Sequence, residues 1–126
     1  MFCTLIEDVY FYWSHSTLHR PFFYKRFHKY HHEHKVPTVL ACIHAHPVEF
    51  YFGNVLPELV GVILLANRVH HSCYYGWIVF RMMQSLNEHS GYNFTWSMFR
   101  LVPFHLRGDE HDYHHSENVG SYASFF

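Results

Sequence analysis

Apolar and aromatic residues recur at mixed three- and four-residue steps from Met1 to Arg20, a stretch without Pro or Gly. This spacing predicts one helix, interrupted by Pro21, which is itself suited to the first turn of the next. From Phe22 to Lys35 bulky aromatics interleave with Lys25, Arg26, Lys29 and Lys35, the pattern of a second helix lying at an interface with its basic side chains reaching water or lipid headgroups. Pro37 ends that element and Pro47 opens another, whose most apolar part is Leu59 to Ala66. Glu49, Asn54, Pro57 and Glu58 interrupt the run from Val48 to Ala66, so it falls short of a plain spanning helix of about 20 apolar residues. A further apolar segment, Cys73 to Leu86, carries Arg81 and reads as a buried or half-membrane helix. Beyond Gly91 the chain turns loop-like until a last cluster of polar residues. The expectation is an all-α, membrane-associated helical bundle in a single domain over residues 1–126. Its opening reads like the middle of a helix, as in a fragment or a shortened relative of something longer.

Composition narrows the chemistry. Nine Lys and Arg against ten Asp and Glu give a formal charge of -1, so there is no basic field to attract nucleic acid. Five of the nine basic residues fall between Arg20 and Lys35, which would place that stretch on the cytosolic side of a membrane. The mean hydropathy of -0.14 is too low for an ordinary set of spans. Cys3, Cys42 and Cys73 are too scattered for a disulfide framework or a thiolate zinc site and read as reduced thiols.

The anomaly is histidine, 15 of 126 residues. His15 and His19 stand four apart, on one face of a helix. His28, His31 and His32 form H-x-x-H-H, and His111, His114 and His115 repeat it. Chance would supply that pattern roughly 0.2 times in a chain so rich in histidine, so two copies beside an H-x-x-x-H point to metal ligation. Eight clustered imidazoles exceed the six ligands of an octahedral ion, which implies two metals, held almost entirely by nitrogen. His46 and His89 stand singly and are open between ligand and structural residue. His34, His70, His71 and His105 read as surface or packed residues, and His44 is undecided. Glu33, Glu88, Asp109, Glu110 and Asp112 lie beside the clusters as candidates to accept the other imidazole N–H.

The ordered set H-x-x-x-H, H-x-x-H-H, His-Pro-x-Glu, His-Ser-Gly-Tyr and H-x-x-H-H resembles the fatty acid hydroxylase and sterol desaturase superfamily. Ala45–Glu49, Glu88–Tyr92, Arg100–Phe104 and His111–Phe125 are most similar to its sterol carbon-4 methyl oxidase branch. The resemblance implies a helical enzyme of the endoplasmic reticulum membrane with a histidine-rich dimetal centre facing the cytosol. It implies two iron ions, replaceable by zinc in a purified sample, with molecular oxygen and electrons from NAD(P)H delivered through a small membrane cytochrome. The reaction implied is oxidation of a sterol methyl group in sterol biosynthesis. Carried over residue by residue, the ligands are His15, His19, His28, His31, His32, His89, His111, His114 and His115, with His46 less firmly placed. Tyr30, Tyr92 and Tyr113 are expected to pack around the site. Ser16, His34 and His44 depart from the family pattern. Family members are longer, so the usual N-terminal spanning helices are expected to be missing.

Two other classes compete at this level. A non-catalytic accessory or structural subunit of a larger membrane complex, in another organellar membrane, would keep the fold without the reaction. A zinc hydrolase or metal-storage module is weaker, because hydrolytic zinc leaves an open position and needs a general base.

Overall fold

The computed structural model describes residues 2–126; Met1, the first residue of the predicted opening helix, lies outside them. The described residues are helical and loop, with no strand among them. Helix α1 is Phe2–Leu18, α2 is Pro21–Arg26, α3 is Pro47–Leu65, α4 is His71–Glu88 and α5 is Gly108–Glu117. Among the described residues α3 is the one helix long and apolar enough to cross a membrane.

Two predicted helices differ from their expected form. The second ends at Arg26, because Phe27 leaves helical geometry at φ -125°, and His28–Glu33 then winds as a separate 3-10 turn. In α3 the turn Phe50–Val55 is π-helical. Pro57 has no N–H to give the helix and its ring crowds the carbonyl four residues earlier, so a widened turn just before it relieves both defects.

The polar and apolar faces are reversed relative to a water-soluble bundle. On α1 the inward stripe contains Glu7 and His15, while Phe2, Leu5, Val9 and Trp13 are exposed. On α4 the buried positions are Arg81, Gln84 and Glu88, with Tyr75, Val79, Met82 and Met83 outside. The buried apolar residues are few: Ala41, Phe99, Leu106 and Phe125. Such an exposed apolar surface needs an apolar partner, and a bilayer supplies one.

What holds the interior is polar pairing. Arg81 donates through Nε to Glu7 Oε1 at 2.9 Å and through Nη1 to Gln84 Oε1 at 2.5 Å, and Gln84 Nε2 donates to Glu88 and, at 2.7 Å, to the Ser124 carbonyl. The last residues strap across the bundle: the Ser124 and Phe125 N–H groups donate to Asp8 Oδ1 at 2.9 and 2.6 Å, and Leu106 N–H donates to the Phe125 carbonyl at 2.8 Å. Close packing of α1 on α3 depends on Gly61, where an added Cβ would lie 2.9 Å from the Cys3 backbone.

Candidate metal centre

The 3.6-residue period of α1 stacks His15 and His19 near its last turn, with ring centroids 5.0 Å apart. The 3-10 turn supplies His28, His31 and His32; the C-terminal end of α4 supplies His89; α5 supplies His111, His114 and His115. These nine imidazoles converge in two adjoining groups. His15, His19, His28, His32 and His114 make the first, and His31, His89, His111 and His115 the second, with the ligating atoms of each group within 4.8 Å of one another. Each H-x-x-H-H motif serves both groups in crossed proportions: two rings of the first motif and one of the second go to one group, and the reverse to the other.

Within the first group successive Nε2 atoms are 2.9 Å apart for His19 and His28, 3.0 Å for His28 and His32, and 3.1 Å for both His19–His114 and His15–His114. In the second, His89 Nε2 is 3.0 Å from His111 and 3.4 Å from His31. An ion bound at about 2.0–2.1 Å sets nitrogens about 2.9 Å apart at right angles and about 3.3 Å apart in a tetrahedron. The observed spacings match that range.

The protons give a second test of fit. His15 Nδ1–H donates to the Tyr122 carbonyl at 3.1 Å, His28 Nδ1–H to Glu49 at 2.6 Å, His89 Nδ1–H to the Ser85 carbonyl at 2.8 Å and His114 Nδ1–H to the Gly120 carbonyl at 2.6 Å. A neutral imidazole carries one N–H, so in these four rings Nε2 bears a lone pair. The lone pairs of His15 and His114 therefore face each other with no proton between them. Protonation is opposed: burial, then the neighbouring imidazoles, hold His15, His31 and His111 well below the usual histidine range. Burial also lowers His19 to about 3 and His32 and His89 to about 4. Both nitrogens of His115 are buried without a partner. Neutral donors crowded lone pair to lone pair are the chemistry a cation resolves, so the residues fit a pair of ions.

Other predicted positions fall elsewhere. His46 is outside both groups: its Nδ1 accepts from Val48 N–H at 3.2 Å and caps α3. His70 does the same for α4 through Ser72, His34 packs on His44, and His44 pairs with exposed Glu33. Glu88 binds Gln84, Asp109 pairs with Arg107, and Glu110 accepts from the Arg107 N–H, so these acids serve the scaffold rather than a clustered imidazole. Asp112 Oδ1 is buried without a partner. The acid on a clustered ring is Glu49, within the apolar run where a carboxylate is out of place, which was the signal available. Tyr30, Tyr92 and Tyr113 are exposed; the tyrosines against the rings are Tyr24 and Tyr122, the latter 4.9 Å from His19 between centroids. Tyr113 lies between inward His111 and His114 on a helix, so it points away.

A helical scaffold with a polar interior, an apolar exterior and two converging histidine clusters defines a membrane-associated type of helical protein with two groups of side chains that could hold metal ions. Comparison with known sequences narrows the class. This chain belongs to the fatty acid hydroxylase family, whose model matches residues 1–126. It is 38% identical over 97% of its length to a methylsterol monooxygenase of Aspergillus fumigatus, covering 42% of that protein. It is 39% identical over 97% of its length to a C-4 methylsterol oxidase of Candida albicans, covering 40%. It is 37% identical over its full length to a very-long-chain aldehyde decarbonylase of Oryza sativa subsp. japonica, covering 47%. The chain thus spans less than half the length of these curated relatives. No solved structure matches it.

Proposed function

We propose that this chain forms the metal-binding core of a di-iron, oxygen-dependent lipid monooxygenase that oxidises a sterol methyl group, with His15, His19, His28, His32 and His114 at one ion and His31, His89, His111 and His115 at the other. The observation that carries the reading is the facing lone pairs of buried, neutral imidazoles at metal-ligand spacing. Two iron ions held there would supply activation of molecular oxygen for attack on an unactivated C–H bond.

The chain's own residues do the rest. Glu49 and the carbonyls of Ser85, Gly120 and Tyr122 fix the tautomer and tilt of four rings. A cavity of about 30 Å³, touched by His15 and His28 of one group and His31, His89 and His111 of the other, adjoins both ion positions. Water needs about 10–15 Å³, so the cavity has room for a methyl-sized fragment or about two waters. The exposed apolar faces of the helices fit a membrane, that of the endoplasmic reticulum, with the metal end and the basic stretch Arg20 to Lys35 toward the cytosol. Electrons would come from NAD(P)H through a small membrane cytochrome.

Metal analysis and turnover test this. The purified chain is expected to carry two irons, and in membranes with NADH and a membrane electron donor it is expected to oxidise a 4-methylsterol. An iron-loaded preparation that leaves the sterol unchanged overturns the reading.

A further inference from the structure

The two groups of imidazoles differ in how they meet the surface. All four rings of the second group are buried, and so are four of the five in the first; His19 is the exception, half-buried. Its ring forms one wall of a surface pocket of about 320 Å³, completed by Pro21, Tyr24, Lys25 and Asn118. The second group has no such border residue. Its ligands come from the 3-10 turn, α5 and the end of α4, where His89 is held by the Ser85 carbonyl of an 18-residue helix.

What covers the first group at that pocket is α2. Between centroids, the Tyr24 ring lies 5.8 Å from His19, 6.0 Å from His28 and 5.8 Å from His32, beside three of the five ligands. Yet α2 is six residues long, buries none of them and starts without a side-chain cap. A helix of that length has little stability of its own, and a segment with few buried contacts opens at far lower cost than the whole chain. Among the described residues its one hydrogen bond to a distant segment runs from the Tyr24 hydroxyl to Asn118 Oδ1, at 2.9 Å. Asn118 ends α5 in left-handed geometry at φ 59°, just beyond His114 and His115. Helix α2 is therefore a flap between extended Arg20 and the break at Phe27, fastened at a single point to the end of a ligand-bearing helix.

We propose that the ion of the first group enters and leaves through the His19 pocket when α2 opens, with the Tyr24–Asn118 hydrogen bond as the latch, while the ion of the second group exchanges only when the bundle itself opens. This rests on the two-metal reading given above. The second ion is then a resident of the folded chain, and the first is the one whose occupancy follows the supply of metal outside. Tyr24 and Asn118 touch no ion; they act by holding the cover over His19, His28 and His32.

Exchange kinetics with zinc in place of iron test this without relying on turnover. The full chain in phosphatidylcholine nanodiscs, loaded with zinc, is mixed with EDTA and its metal content followed in time. Histidines freed at each stage are identified by diethyl pyrocarbonate labelling and peptide mass mapping. Zinc is expected to leave in two phases of one ion each, the first roughly tenfold or more the faster. His15 and His19 should become reactive in that phase while His31, His89 and His111 stay protected. Tyr24→Phe keeps the ring and removes the latch; Asn118→Gly keeps the left-handed turn and removes the acceptor. Each should quicken the first phase about two- to tenfold, the worth of one hydrogen bond, and leave the second as it was. Loss of both ions in a single phase, early reactivity of His31, His89 or His111, or a first phase unmoved by both variants overturns the proposal and leaves the monooxygenase reading standing. A chain that takes up no metal overturns both.

Discussion

The hydrogen bond on the far nitrogen of each imidazole decides what the near nitrogen can do. Glu49 on His28 is the one side-chain partner of that set, beside three backbone carbonyls. Replacing it by Gln keeps a carbonyl acceptor and removes the acid; Glu49→Gln should weaken metal binding about 10–100-fold, measured by competition with a chelator. The two clusters can be separated one residue at a time. His114→Ala should deplete the first ion and His31→Ala the second, each seen as the loss of about one metal per chain, whereas His70→Ala should leave metal content as it was. Equal losses from all three would remove the ligand assignment. At this scale the sequence was informative wherever spacing was regular: His15 with His19, and His111 with His115, occupy one helical face and one group. It was silent on the carbonyls of Gly120, Tyr122 and Ser85, because a backbone acceptor leaves no mark in residue type.

Elements carry the second layer. His28, His31 and His32 stand on a 3-10 turn where an α-helix was expected, and the break at Phe27 has no Pro or Gly to announce it; their division, i with i+4 and i+3 apart, is the one the α-helical second motif also shows. The existence and order of the helices, by contrast, followed from Pro21, Pro47 and the apolar spacing, because those constraints are local. The C-terminal strap is the element least visible in advance: residues 119–126 have no periodicity, yet they bring two carbonyls to His15 and His114 and fasten to α1 through Asp8. Asp8→Ala removes the acceptor of two N–H groups and should cost about 1–3 kcal/mol. Hydrogen exchange of the Ser124 and Phe125 amides should quicken, and metal should leave the first cluster before the second.

Taken whole, the molecule keeps a set of neutral bases inside and apolar residues outside, which sets its response to acid. Burial depresses the clustered histidines, so in the metal-free chain the unfolded state takes up protons that the folded state refuses. Stability is then full above the ordinary value of about 6.5 and falls with pH toward about 4, the value of His32 and His89. Each such histidine adds about 1.4 kcal/mol per pH unit across that window. Thermal melts of the metal-free protein should therefore drop steeply between pH 6.5 and 4, and bound metal should flatten the profile until protons displace it. A melt insensitive to pH there would mean the rings are hydrated and not buried together. The inside-out distribution was legible only in part: low mean hydropathy argued against many spans, while the reversal of faces needs the three-dimensional partners of Glu7, Arg81 and Glu88.

Because neighbours His31 and His32 answer to different ions, exchanging either H-x-x-H-H segment strips ligands from both centres at once, whereas exchanging residues 15–19 touches the first alone. A graft of the dinuclear site onto another helical scaffold therefore has to carry both H-x-x-H-H segments together, while the end of α1 is the part through which one centre can be retuned without its twin.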